Sequence, residues 1–191
     1  MTTHTDQRAG YTFKSATNRL GLWLFILSDA FLFAGLLVAR FYLLGGTRPD
    51  LSQLLGLGVT SILLLSSFFM NRAETAMAYG DQKAFIRGTL ITIVLGILFL
   101  IGVVGVEWQI APFSVDESAA SSIFYTMTGF HALHVLSGVI FLIIIYRNGR
   151  KGLYTQERHF PVEAAAIYWH FVDVVWVFFY PALYLMGTVA G

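Results

Sequence analysis

Two histidines lie three residues apart in the stretch Gly129-Phe-His131-Ala-Leu-His134-Val-Leu-Ser-Gly138, and a third, His170, lies three residues before Asp173. On a helix that advances about 100° per residue, His134 stands about 60° from His131 and Gly138 about 20° from it. One face then carries two imidazoles and a glycine, and a glycine lets a second helix come close. Measured from Glu163, the residues His170, Asp173, Tyr180 and Tyr184 fall within an arc of about 100°. Such a stripe has to face the interior of a bundle or a partner subunit. Imidazole and carboxylate together suit zinc, iron or copper, and imidazole also holds haem between helices. The same side chains equally form a buried network, with His170 bonded to Asp173 along one helix and the other histidines bonded across helices. The Glu-x-x-His repeat of di-iron bundles is absent. Spacing alone leaves the metal reading and the network reading both open.

Asp29 sits in Trp23-Leu-Phe-Ile-Leu-Ser-Asp29-Ala-Phe-Leu-Phe33, inside an apolar run. A carboxyl isolated among apolar groups favours its neutral form. It is either an acid hydrogen-bonded to a neighbouring helix or a proton-transfer or gating carboxyl, and the residues by themselves do not choose.

The elements that position these groups are membrane spans. Apolar residues make up 57% of the 191-residue chain and charged residues 12%, where a soluble domain has about a quarter of its residues charged. The mean hydropathy is +0.69, and the charges gather between long uncharged stretches. A span needs about 20 apolar residues. The runs Leu20–Leu44, Leu51–Met70, Gly88–Val106, Ser122–Tyr146 and Ala164–Val189 predict five helices, because backbone groups in lipid must be paired within the segment. The fold class is therefore all-α, a polytopic bundle of five transmembrane helices, with residues 1–19 as a cytoplasmic N-terminal segment and 20–191 as one transmembrane domain. Gly45, Gly46 and Pro49 turn the chain after the first span, and Asn71 to Arg87 and Arg147 to Glu163 read as charged connections. Glu107-Trp108 closes the third span at the interface, where tryptophan is favoured. There is no cysteine, which removes disulfides, thiol catalysis and thiolate metal sites, and a net charge of +1 gives no sign of nucleic acid.

Lys and Arg collect on the cytoplasmic side of membrane proteins. With the N-terminus in the cytoplasm, that side holds Arg8, Lys14, Arg19, Arg72, Lys83, Arg87, Arg147, Arg150, Lys151 and Arg158, and the opposite side only Arg40 and Arg48. The C-terminus is then external. Arg72, Lys83, Arg87 and Arg147 at the helix ends either meet lipid phosphates or simply set topology. The first nineteen residues lack a signal-peptide pattern, so the first apolar run is expected to be retained and the membrane to be a prokaryotic plasma membrane.

Several segments recur in a telling order: Trp23-Leu-Phe25 with Ser28-Asp29; Gly80-Asp81; Glu107-Trp108 through Ala111-Pro-Phe-Ser114 and Asp116; Thr128-Gly-Phe-His131-Ala-Leu-His134-Val135 with Gly138; and Glu163-Ala164 before Tyr168-Trp-His170-Phe-Val-Asp173-Val-Val-Trp176. Together, over about residues 18–188, they resemble subunit III of haem–copper respiratory oxidases, in the short five-helix form of many bacterial oxidases. The acid after Ser28 is aspartate where many relatives carry glutamate, so a protonatable group is kept on a shorter arm. The resemblance implies an accessory subunit of a proton-translocating terminal oxidase (for cytochrome c or quinol). It implies no haem or copper in this chain, those belonging to partner subunits I and II. It also implies a V-shaped cleft holding phospholipid, with one arm packed on subunit I, and a role in stabilising subunit I and delivering protons to it. By the same resemblance His131, His134, Glu163, His170 and Asp173 become an intramembrane polar network, Asp29 a carboxyl related to proton uptake, and Arg72 and Arg147 candidates for lipid headgroups. Two alternatives lie beside it: an accessory subunit of a nitric oxide reductase, and a stand-alone membrane haem or metal protein using the histidines. A small transporter centred on Asp29 lacks the repeats and broken helices such folds show.

The charge distribution makes a direct prediction. A tag on the C-terminus is expected to be labelled from outside intact cells and shielded from the cytoplasm; labelling from the cytoplasmic side alone would overturn the orientation.

Overall fold

A computed structural model describes residues 3–115 and 117–189, with side chains from residue 16 onward. The side chains of Arg8 and Lys14, and Asp116, lie outside the described residues. Five helices are long and apolar enough to cross a membrane. Helix α1 spans Thr3–Leu44, with its apolar part at Ala16–Leu44; α2 spans Gln53–Ala78; α3, α4 and α5 span Gln82–Ile110, Ala119–Arg150 and Phe160–Leu185.

Helices α3 and α4 run past the apolar stretches at both ends, α2 at its C-terminal end, and α1 and α5 at their N-terminal ends. Charged residues end the part of a helix that lipid tolerates, but Arg, Glu, Lys and Gln are good helix formers and do not end the helix. The segment Asn71 to Arg87 thus shrinks to a turn at Tyr79–Asp81 between α2 and α3. The starts carry the usual caps. The Ser52 hydroxyl accepts from the Leu55 N–H at 3.4 Å, Asp81 Oδ1 accepts from the Lys83 and Ala84 N–H groups at 3.1 and 3.0 Å, and Ser118 and Ser121 form a reciprocal capping box on α4.

Two helices change pitch at the same end of the bundle. Helix α3 loosens into π-helix at Ile101–Glu107 before a last α-turn at Trp108–Ile110. Helix α5 does so at Pro181–Leu185. Proline offers no N–H to the ladder, and the Met186 N–H reaches back five residues to the Pro181 carbonyl at 2.9 Å. The last residues are extended rather than helical: Thr188–Val189 (β2) pairs in parallel with Thr47–Arg48 (β1) in the turn after α1.

Helices α2, α3, α4 and α5 form the compact part of the bundle, with α2 and α3 packed as a hairpin and α5 touching α2 and α4. Trp169 of α5 lies at the centre, 1% exposed. Its ring sits between Gly96 of α3 and Gly138 of α4, where an added Cβ would lie 2.6 Å and 3.0 Å from ring atoms. Its Nε1–H donates to the Ser66 hydroxyl of α2 at 3.0 Å. Seven residues on, the Trp176 Nε1–H donates to the Thr60 hydroxyl of α2 at 2.9 Å. Helix α1 is different. It lies against α4 and α5 along one thin line, Ile26, Phe33, Arg40 and Leu44, and leaves Trp23, Phe31, Val38 and Tyr42 exposed.

Gly96→Ala is therefore expected to cost about 1–3 kcal/mol through overpacking and to lower the thermal transition of the purified protein. Gly21→Ala, where nothing lies within 4 Å, is expected to leave it unchanged. Equal transitions for the two variants would show that the ring has room to move.

Candidate functional site: an intramembrane carboxyl and imidazole

The charged groups of the spans separate into distinct places. Asp29 on α1 faces His134 on α4, with Oδ2 3.4 Å from Nε2 and both side chains largely covered. The approach is close enough for an ion pair but not aligned as a hydrogen bond, since Asp29 Oδ2 has no hydrogen-bond partner. The other ring nitrogen, His134 Nδ1, is 2.8 Å from the Phe130 carbonyl. A carbonyl only accepts, so Nδ1 must carry its hydrogen. In the neutral ring Nε2 is then a lone pair pointing at a carboxyl. Around the pair, the Tyr168 hydroxyl lies 2.7 Å from Ser137 Oγ, and both donate to the His134 carbonyl, at 3.3 and 2.8 Å. Phe33 closes one side, its ring centre 4.7 Å from that of His134.

His131 does not join this pair. It is fully buried, both ring nitrogens lack partners, and it is boxed by Trp176 and Phe99 with ring centres at 4.9 and 5.7 Å. His170 and Asp173 face the other flank of α5. His170 Nδ1 is 3.2 Å from the Ser67 hydroxyl of α2, and Asp173 lies beside the same hydroxyl with Oδ1 buried and unpaired. Glu163 sits at the end of the bundle and accepts from Arg19 of α1 at 2.7 Å. Glu163, His170, Asp173, Tyr180 and Tyr184 are buried or half-buried, and the side chains of Glu163 and His170 pair with α1 and α2 rather than with the histidines of α4. Among the described residues no three His, Cys, Asp or Glu side chains converge as metal ligands would. Arg72 lines a cavity between α2 and α3, and Arg147 lies exposed in the last turn of α4.

Two charged groups carry more structure than their sequence positions suggest. Glu107, read at the interface, is 2% exposed and faces Tyr184, so the two π-helical segments meet through their side chains. Arg40 is fully buried. Its guanidinium donates to the carbonyls of Ala182, Gly45, Thr47 and Met186 at 2.6, 3.1, 2.9 and 2.9 Å. It thus ties the irregular end of α5 to the turn after α1. The only local sign was an arginine within Val38-Ala-Arg40-Phe-Tyr42 just ahead of Gly45-Gly46. A buried carbonyl left without a donor costs about 1–3 kcal/mol; the Ala182 bond is buried and the other three are part-buried, so Arg40→Leu is expected to cost about 1–3 kcal/mol. Amide exchange at Gly187–Val189 should quicken with it; unchanged exchange would show that water or the main chain replaces the guanidinium.

The sequence profile of the family described as Cytochrome c oxidase subunit III matches residues 6–188. Among curated proteins, the chain is similar to cytochrome c oxidase subunit 3 of Dasypus novemcinctus and of Bos taurus. Each is 38% identical over 183 residues, covering 89% of this chain and 70% of the relative. The same identity and coverage hold for that of Equus caballus. With five apolar helices in the order and with the motifs described, the chain belongs to the cytochrome c oxidase subunit III family and is a non-catalytic, multi-pass membrane subunit of a respiratory terminal oxidase.

Proposed function

We propose that this subunit binds no metal of its own, stabilises the haem- and copper-bearing subunit I beside subunit II, and supports proton uptake into subunit I through Asp29. The observation that carries the reading is the Asp29–His134 contact at 3.4 Å, with His134 Nδ1 committed to a carbonyl. A structural hydrogen bond needs no titratable partner on either side. Here both members are titratable side chains, and Asp29 Oδ2 has no hydrogen-bond partner elsewhere. Asp29 lies ten residues beyond Arg19 on α1, about 15 Å along the axis at 1.5 Å per residue, which is deep within a hydrocarbon core about 30 Å thick. An ionisable group at that depth is costly and is a functional candidate by default.

The exposed side of α1, with Trp23, Phe31 and Val38, is the surface this reading gives to the contact with subunit I. Phospholipid in a cleft is supported by two apolar grooves, one of about 750 Å³ between α3 and α4 and one of about 270 Å³ between α1 and α5. Arg147 and Arg72 are the proposed headgroup contacts. In this reading the protein lies in a prokaryotic plasma membrane with its N-terminus in the cytoplasm, and the bias of basic residues toward that side supports the orientation.

The decisive comparison is Asp29→Asn against Asp29→Glu in the assembled oxidase. Asn keeps the size and loses the proton; Glu keeps the proton. Proton uptake during turnover, followed with a pH-indicating dye, is expected to fall several-fold in Asp29→Asn and to recover in Asp29→Glu, with haem content unchanged in both. Undiminished uptake in an assembled Asp29→Asn complex would return the pair to a purely structural role.

A further inference from the structure

We propose that the α2–α3 hairpin carries a binding site for an anionic phospholipid, built from Arg72 and Arg87 over an apolar wall, which deepens the phospholipid reading of Arg72 and rests on it for the class of ligand. The two helices touch at Ala73 and Gly88, where a Cβ added to Gly88 would lie 2.9 Å from the Ala73 Cβ and 3.1 Å from the Phe69 carbonyl oxygen. Arg72 and Arg87 each immediately precede a contact residue, and both line the same cavity of about 630 Å³. Both are exposed, and among the described residues neither takes part in an ion pair. The Arg72 guanidinium lies 5.9 Å above the Phe68 ring. One carboxylate, Asp81, also lines the cavity, but its Oδ1 already accepts from two N–H groups at the start of α3. Two cations stand against one carboxylate already engaged, so the cavity calls for an anion.

The depth of the wall identifies which anion. Phe68 and Ile91 line the same cavity four residues beyond Arg72 and Arg87 on the side away from the hairpin turn. They therefore lie about 6 Å deeper in the bilayer at 1.5 Å per residue. Both remain exposed, at 54% and 38%. Cations at the level of the headgroups above open aromatic and aliphatic surface match a phosphodiester with acyl chains beneath it. A free phosphate would use the arginines and leave the wall idle. Basic pockets between helices at a membrane surface are known to take anionic headgroups. The net positive charge selects an anionic lipid over a zwitterionic one.

The test uses the intact oxidase complex and its retained lipid after mild delipidation, measured by native mass spectrometry. The variants are Arg72→Gln/Arg87→Gln, Arg72→Lys/Arg87→Lys and Arg147→Gln. Rebinding is measured from phosphatidylglycerol and phosphatidylcholine vesicles. The wild type and the lysine pair are expected to hold one phosphatidylglycerol that the glutamine pair loses. Each basic side chain contributes roughly fivefold to such affinity, so rebinding should weaken roughly 25-fold in the glutamine pair. Arg147→Gln should leave this lipid in place. Equal retention by the glutamine pair, or equal rebinding of phosphatidylcholine, would overturn the site. If Arg147→Gln sheds lipid while the glutamine pair does not, the general lipid reading stands and this site falls. Loss of a protein subunit from the glutamine pair, with its lipid unchanged, would make the face a protein contact and overturn the site as well.

Discussion

The bundle turns on one indole that needs three things at once. Trp169 carries an N–H that must be paired when buried and a ring too large to sit between helices unless their side chains are missing. Ser66 of α2 answers the first need at 3.0 Å, and Gly96 and Gly138 answer the second from α3 and α4. A membrane offers no hydrophobic drive to bring helices together, because lipid tails are as apolar as leucine. Contact must come from fit and from polar pairing, and Trp169 supplies both to three neighbours. Trp176 repeats the bond to Thr60 two turns on and packs on Phe99 at 4.9 Å. Helix α5 is accordingly the most enclosed of the five spans and α1 the least.

That contrast between α5 and α1 bears on how the subunit works. Helix α1 touches the bundle along a single line of residues, yet it holds Asp29, whose partner lies on α4. The Phe130 carbonyl fixes the tautomer of His134, and the Tyr168 and Ser137 hydroxyls hold the backbone beside it. The imidazole is thus fixed through its own helix, and Asp29 meets it from another. The proposed proton role asks for this asymmetry: one site that stays put and one that meets it.

Much of this was legible before any coordinates. Five spans follow from the hydropathy of the chain, and the motifs around His131 and His170 point to the family. The buried stripe of α5 from Glu163 to Tyr184 also follows from its helical spacing. What spacing could not supply was the partner of each group. His131 and His134 share a helix face within about 60°, yet one is shut in an aromatic box and the other meets a carboxyl. The difference lies in the partners: Phe99 of α3 and Trp176 of α5 close on His131, and Asp29 of α1, about a hundred residues away in sequence, meets His134. Hydropathy likewise found where lipid begins, not where helices stop. Arg72 and Arg87 therefore read as parts of a connection when they sit on helical walls of one cavity.

Arg40 shows the same limit from the other side. As a count toward topology it is one of two basic residues at the sparse end of the chain. In the structure it is the group that makes that end possible. Pro181 removes a backbone donor from α5, the last turns widen, and carbonyls at Ala182 and Met186 are left facing inward without ladder partners. A neutral side chain could serve at most two. A guanidinium carries five N–H donors in a fixed fork, enough for those two carbonyls and for Gly45 and Thr47 besides. Its charge is spread over carbonyl dipoles rather than matched by an acid. The buried acid of the other π-helical segment, Glu107, faces Tyr184 instead. The irregular end of the bundle is therefore held by a cation against backbone, and the regular part by an indole against glycine. The first fixes where α5 stops, and the second fixes where it stands.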